Sequence, residues 1–248
     1  MKPEFAPIGS NFTELLSVDS TNNYAMGRVH EGLAQHGDVV LAHNQTQGKG
    51  QRHKTWVSQG GANLTMSAVL HPAQQPLSHA FYLSMAMAVA VRHFFAQYAS
   101  FETGVKWPND LYWRDRKAGG LLIENVIQGS QWRYAIVGIG ININQTAFEG
   151  LPNPVSLKQI TGEDFSIVDL GKELCLFLQK GFEMFLHDVE GVHAAYHQHL
   201  YKMGEEVKLK QGGRTFTATI KGVTPFGRLI THHTTEEFFD IGDVEFVL

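Results

Sequence analysis

The pattern of apolar and polar positions divides the chain into elements of two periods. Alternating, β-branched-rich runs predict strands at "DVVLAHN" and "NLTMSAVL", and again at "LYW", "GGLLIENVI" and "WRYAIVGIGIN". The last three are separated only by the polar turns "RDRKA" and "QGSQ", so neighbouring strands are expected to pair antiparallel. Helical spacing predicts a helix over "STNNYAMGRVHEGLAQ", with Ser20 and Thr21 as N-cap candidates. A largely buried helix follows from Leu77 to Ala99, with Ser78 as its cap. A third helix opens at the S-x-x-D pair Ser166 and Asp169 and runs to about Asp188, and a short one lies near "VHAAYHQHL". From Gly204 the texture changes to short alternating runs, "EVKLK", "TFTATIKGV", "RLITHH", "EEFFDI" and "VEFVL", broken by glycines and Pro225. These predict a small β-barrel module. The reading is an α+β protein in which a mixed β-sheet with flanking helices occupies residues 1–203 and the β module residues 204–248.

Composition narrows the function classes. With 43% hydrophobic and 18% charged residues over 248 positions, the chain is a folded globular protein. Lys and Arg number 20 against 24 Asp and Glu, a net charge of −4, which excludes a general nucleic-acid coat. The single cysteine, Cys175, sits in the apolar run "LCLFL" and reads as a buried, inert thiol. It allows no intrachain disulfide, and the N-terminus "MKPEFAPIGSNF" carries no apolar export segment, so a cytoplasmic location is expected. The window "FYLSMAMAVAVRHFFAQYA" is bounded by His79 and Ser84 on one side and Arg92 and His93 on the other, too short a run to span a membrane.

Charge is nevertheless concentrated. No Asp or Glu occurs from Val39 through Phe101, and this region holds the loop "GKGQRHKTW", with Lys49, Arg52 and Lys54 between Gly48, Gly50 and Trp56. Backbone N–H groups in a glycine-bearing turn can cradle an anion, and the cations add charge. The loop is neither a Walker A sequence nor a Rossmann fingerprint. Read blandly, it is a solvated surface turn. In "VKWPNDLYW", Pro108 fixes φ and Asn109 and Asp110 favour a turn, so Lys106 sits at a rigid strand end, suited to neutralising charge in a transition state. The bland alternative is a β-turn with an incidental lysine. "DSTNNYA" offers Ser20, Thr21 and Asn22 either as caps or as partners for a small polar ligand. "GIGININ", from Gly138 to Asn144, reads as a strand end that a ligand approaches, or as a bulged one. The 13 histidines form no convincing metal set, and no G-x-S-x-G elbow is present.

These four motifs, in this order, resemble the biotin protein ligases. The correspondence runs through Ser20-Thr21-Asn22, the stretch Gln45 to Trp56 with Asn63-Leu64 downstream, Lys106 to Asp110, and Gly138 to Asn142. It extends over essentially the whole chain. The resemblance implies a catalytic domain of the kind shared by class II synthetases and biotin and lipoate ligases, followed by an SH3-like barrel. It implies ATP and biotin as substrates with Mg²⁺. Biotin is activated to biotinyl-AMP and then passed to a lysine of a biotin carboxyl carrier protein of acetyl-CoA carboxylase or a related carboxylase. By the same resemblance Lys106 contacts the biotin carboxylate and the charge that develops during adenylation. Ser20, Thr21, Asn22 and Gln45 hold the biotin head, and Gly48, Lys49, Gly50 and Gln51 close over biotin and the activated phosphate. Arg52 and Lys54 guide the triphosphate, Trp56 stacks on adenine, and Asn142 is its polar partner. No residue is assigned as a metal ligand.

Three positions depart from the family's usual loop. Lys49 stands where arginine is commonest, which weakens a bidentate grip on phosphate, and Gln51 and His53 replace arginine and glycine. About nineteen residues precede Ser20, too few for a helix-turn-helix domain, so a ligase without repressor function or DNA binding is expected. A homodimer is left open. Two rivals stand beside this reading: a lipoate–protein ligase of the same fold, and a non-enzymatic nucleotide- or RNA-binding module built on the loop and the β tail.

Overall fold

The computed structural model describes residues 5–72, 75–150 and 153–247, apart from the His53 side chain. The chain runs β1 (Asn11–Val18), α1 (Thr21–His30), β2 (Asp38–Gln45), β3 (Leu64–Leu70), α2 (Ala80–Ala99), β4 (Thr103–Lys106), β5 (Asp110–Trp113), β6 (Arg116–Gln128) and β7 (Gln131–Ile141). It continues through α3 (Leu157–Thr161), α4 (Ile167–His187) and α5 (Val189–Gln198) into β8 (Glu206–Gln211), β9 (Arg214–Val223), β10 (Leu229–His232), β11 (Glu236–Phe239) and β12 (Glu245–Phe246). The first seven strands form one sheet in the order β1-β2-β3-β7-β6-β5-β4. Only β1 and β2 are parallel; β5, β6 and β7 pair antiparallel, as their short polar turns require.

Strand alternation gives this sheet two unlike faces. In β3, Leu64, Met66, Ala68 and Leu70 point into the main core, while Thr65, Ser67 and Val69 point the other way. In β7, Val137, Ile139 and Ile141 join the main core, and Ile136 belongs to the opposite face with Val40, Val69 and Ala25. The main core is covered by α2 and α4, packed against each other, with α5 beside α2. The apolar helix over Leu77–Ala99 is thus an internal one: Leu83, Met85, Met87, Val91, Phe94 and Phe95 are fully buried. Cys175 is buried here too, and burial pushes its thiol up to about 11. The opposite face carries α1 and a much smaller apolar cluster, which leaves polar positions of the sheet accessible beside that helix.

Several helix starts differ from expectation. Ser78 lies in a 3₁₀ turn, Leu77–His79, so α2 begins at Ala80 with His79 in the cap position. Ser20 does occupy the cap position of α1, but its side chain makes no capping bond, and Thr21 is the first helical residue. Both are engaged in or beside the site described below. Ser166 caps α4 by accepting from Asp169 N–H. A complete capping box forms instead at Ser156 and Gln159, which open α3.

The C-terminal strands form a separate antiparallel sheet, β11-β10-β9-β8-β12. It is not a closed barrel: among the described residues no pairing joins β11 to β12, and β12 is two residues long after the turn at Asp240–Asp243. Leu248, at the end of the predicted strand "VEFVL", lies outside the described residues. This sheet shares the main core, since Ile220, Val223, Leu229, Phe239 and Val244 belong to the same apolar cluster as α2. Trp107 Nε1 donates to Gly227 O at 2.9 Å, fixing the two parts together.

His36 makes the fold sensitive to acid. Its ring is buried between Phe5 and Phe182, with centroids at 4.5 and 4.8 Å. His71 N–H donates to its Nδ1 at 3.0 Å, so that nitrogen has no room for a proton. Burial, then the nearby His71, holds its pKa down to about 4. The unfolded chain therefore binds more protons between pH 4 and about 6.5, and stability is lost as pH falls through that window. Urea unfolding at pH 4.5 and 7.5 is expected to show His36→Leu less pH-dependent than the parent, by on the order of 1–3 kcal/mol.

Candidate active site

The S-T-N segment enters α1 against the polar face of the sheet. Thr21 N–H donates to Gln45 Oε1 at 2.8 Å, and Thr21 Oγ1 lies 3.1 Å from the same oxygen. The fully buried Ser67 hydroxyl is 2.7 Å from Thr21 Oγ1 and 2.6 Å from Asn22 Oδ1; its one hydrogen goes to one of them at a time, and its oxygen is free to accept from the Thr21 hydroxyl. Asn22 Nδ2 donates to Glu124 Oε2 at 2.7 Å. Glu124 Oε1 in turn faces Lys49 Nζ at 3.4 Å. A polar chain thus runs from Gln45 through Thr21, Ser67, Asn22 and Glu124 to the basic loop. Ser67 and Glu124 had no place in the sequence reading. The signal for each was a polar residue inside an apolar strand, in "LTMSAVL" and in "GGLLIENVI".

The basic loop is a hydrogen-bonded hairpin. Trp56 N–H donates to Gly48 O at 2.9 Å, Gly50 N–H to Lys54 O at 2.7 Å, and Lys49 pairs with Thr55 across it. A Cβ at Gly48 would overlap Trp56 O, so this glycine serves the closure of the hairpin itself. At the tip, Gln51–His53 form a 3₁₀ turn with Arg52 at φ 53°. The Arg52 guanidinium reaches away from Lys49 and fills the space above Gly242 in the second sheet. Lys49, by contrast, turns down to Glu124. The loop's cations are thus divided between the two parts of the protein.

Lys106 ends β4 opposite Asp110 in β5. Trp107 is buried with its Nε1 bonded to Gly227 O, and Pro108 O accepts from Tyr196 Oη at 2.9 Å, so the turn after Lys106 is held at two points; the Trp107–Pro108 peptide is cis. Asn109 Nδ2 donates to Leu121 O across the turn. The Lys106 ammonium lies 5.0 Å from the ring of Tyr112 and 4.8 Å from that of Phe246. Burial lowers its pKa; Asp110 opposes that shift, while Lys117 and Lys54 reinforce it. Asp110 itself pairs with Lys117 at 2.7 Å. Three lysines stand here against two carboxylates, Asp110, already paired with Lys117, and Glu245 of β12, so the corner keeps a positive excess.

The glycines of "GIGININ" have another use than ligand approach. A Cβ at Gly138 would overlap the Asn22 amide, and one at Gly140 would fall 2.5 Å from the Trp56 indole. Both point to the polar face, since β7 alternates, and their missing side chains make the seats for Asn22 and Trp56. One face of Trp56 is taken by the sheet. Its Nε1 is buried with no protein partner among the described residues. Asn142 is buried, and its Nδ2 donates to Val155 O at 3.1 Å and Lys117 O at 3.4 Å. It acts as a strut under the segment that precedes α3, and its amide hydrogens are already used. Among the described residues no group of three or more His, Cys, Asp or Glu side chains is placed to hold a metal ion.

Comparison with known proteins decides the family. Residues 15–142, more than half of the chain, match the biotin/lipoate A/B protein ligase family. The chain belongs to that family. Residues 202–246 match the biotin protein ligase C-terminal domain. The bifunctional ligase/repressor BirA of Bacillus subtilis is 29% identical over 203 residues, covering 79% of this chain and 62% of the relative. The biotin–[acetyl-CoA-carboxylase] ligase of Paracoccus denitrificans is 28% identical over 225 residues, 87% of this chain and 92% of the relative. The chain spans about 62% of the length of the first curated relatives it matches. The fold is that of the Aquifex aeolicus biotin protein ligase, whose structure with biotin and ATP aligns at TM-score 0.77 and 24% identity over 96% of this chain and 99% of that one.

Within this ligase fold, the seat that Gly138 provides for Asn22 can be tested directly. Gly138→Ala is expected to cost about 1–3 kcal/mol by overpacking. Because the clash is with one side chain, Asn22→Ala/Gly138→Ala should lose less than the sum of the two single changes. Urea unfolding of the four proteins measures this.

Proposed function

We propose that this ligase activates biotin with ATP to biotinyl-AMP and transfers the biotinyl group to a lysine of a biotin carboxyl carrier protein. The observation that carries the reading is the Lys106 corner: a desolvated ammonium at a firmly held turn, beside Lys54 and Lys117 and two strands along the sheet from Glu124, which links the polar chain to Lys49. Such a corner suits two anions that must be brought together, a carboxylate and a polyphosphate. The match of residues 202–246 to the biotin ligase C-terminal domain favours biotin over lipoate. A binding module alone would not account for the care with which Lys106 is placed.

In the first step the biotin carboxylate oxygen attacks the α-phosphorus of ATP, forming the acyl–phosphate bond and releasing pyrophosphate. Lys106 stabilises the negative charge on the carboxylate and the α-phosphoryl oxygens. Ser20, Thr21, Asn22 and Gln45 line the end where the biotin head is held, with Thr21 and Asn22 oriented by Ser67 and Glu124 and Gln45 by Thr21. Lys49 exchanges its Glu124 partner for the phosphate of the adenylate, and the Gly48–Gln51 backbone closes over it. In the second step the acceptor amine attacks the acyl carbon, and AMP leaves. Arg52 and Lys54 act at the outer end of the triphosphate, and Trp56 offers its remaining face to adenine. The buried amide of Asn142 acts on that site through the segment it holds rather than as a free partner. Mg²⁺ would lower the charge of the triphosphate. The nearby carboxylates, Asp110 and Glu124, are paired with lysines and do not form a cage for it, so no step is assigned to a protein-bound metal.

Biotin-dependent exchange of labelled pyrophosphate into ATP is the expected activity. Exchange driven by lipoate and not by biotin would reverse the substrate assignment. Lys106→Ala is expected to lower that exchange by on the order of 10²-fold or more with the fold retained. Near-parental exchange by the folded variant would remove Lys106 from the mechanism. For the loop, hydrogen exchange across Gly48–Trp56 should slow when biotin and ATP are added, and Lys49→Ala should release biotinyl-AMP faster. Unchanged protection together with an unchanged off-rate would show that the hairpin is not a lid.

A further inference from the structure

We propose that Phe246, from the last strand of the second sheet, is a positioning residue for the Lys106 ammonium, which it holds between its own ring and that of Tyr112. The proposal rests on the reading of Lys106 as the group that stabilises adenylation. Lys106 leaves the first sheet at a strand end, where its four-carbon stem has several rotamers open to it. Two aromatic faces at 5.0 and 4.8 Å, from Tyr112 and Phe246, select one position for the charge.

The two rings are built into different parts of the chain and both lie against Tyr201. Tyr112 is buried in β5, two residues beyond Asp110. Phe246 pairs with Leu209 of β8, and Val247 N–H donates to Lys208 O at 2.8 Å, so the short strand β12 is pinned on both sides of the ring. Tyr201 stands behind both, with centroids at 5.2 Å from Tyr112 and 6.3 Å from Phe246. Tyr201 Oη donates to Asp115 Oδ1 at 2.6 Å, which fixes that ring as well. The second sheet therefore supplies one wall of the Lys106 site.

A ring face has an effect that an apolar side chain of equal bulk lacks. Both exclude water and so disfavour the ammonium, but only the ring attracts the charge. The other charged groups that face Lys106 are Asp110, Lys117, Lys54 and Glu245. They belong to β5, β6, the basic loop and β12, and none is altered by a substitution at 246. Phe246→Leu should keep the site dry and remove the attraction. The Lys106 pKa should then fall, and the alkaline limb of adenylation should move to lower pH.

The test uses the full chain with Phe246→Leu, Phe246→Tyr and Lys106→Ala. The Lys106 titration is followed by NMR of ¹³C-labelled lysine side chains, assigned by the Lys106→Ala protein. Biotin-dependent pyrophosphate exchange is followed against pH. The expected result is a folded Phe246→Leu protein with a lowered Lys106 titration and exchange reduced about fivefold, and recovery of both in Phe246→Tyr. Phe246→Leu indistinguishable from the parent in titration and rate overturns the proposal. So does loss of activity in both variants with the Lys106 titration unchanged, which would make Phe246 a structural prop. A shifted titration in Phe246→Leu, beside a Lys106→Ala protein that still exchanges, upholds the aromatic clamp and refutes the catalytic reading of Lys106.

Discussion

The two-sidedness of the seven-stranded sheet governs everything else in this protein. Each strand sends alternate residues to opposite faces, so β3, β6 and β7 must satisfy two environments at once. Leucine, isoleucine, methionine and valine on one face meet α2, α4 and α5. The other face can then carry what a core cannot: Thr65 and Ser67 on β3, Glu124 on β6, and two glycines on β7. That face is covered by α1, with the S-T-N segment at its start, and by Trp56 of the basic hairpin. The polar network is thus not an insertion into the core but the second face of the strands that build it.

The sequence made the larger elements legible because their periodicity is strong. α2 and α4 bury many side chains, and β2, β3, β6 and β7 lie at the centre of the sheet, where apolar alternation is enforced. The strand that escaped notice lacks that enforcement. β1, "NFTELLSV", is an edge strand with no fully buried position, whereas β4, "TGVK", only four residues long, was legible through its end at Lys106. The barrel expected at the C-terminus is an open sheet: among the described residues β12 pairs with β8 and β11 with β10, and the two edges are not joined.

The candidate site was legible as residue types and less so as roles. The motifs identified Lys106, the loop and the S-T-N segment, and the structure places all three near one polar face. Ser67 and Glu124 were hidden because each is an isolated polar residue within a strand, a pattern that gives no hint of its partner. The run with glycines at 138 and 140 was read as a strand end that a ligand approaches, or as a bulged one. The two glycines make room for the protein's own side chains, a distinction that depends on which residue stands opposite and which no local pattern records. Asn142 looks like a free amide in the sequence and is a strut in the fold for the same reason.

The guanidinium of Arg52 occupies the space over Gly242, a position with φ +93° in a turn of the second sheet. Any side chain there would collide with the tip of the basic hairpin as well as strain its own backbone. Substitutions at codon 242 and at the hairpin tip would therefore disturb the same contact. Two segments far apart in the gene would share a phenotype, and a screen that mapped them by linear position would count one mechanical joint as two.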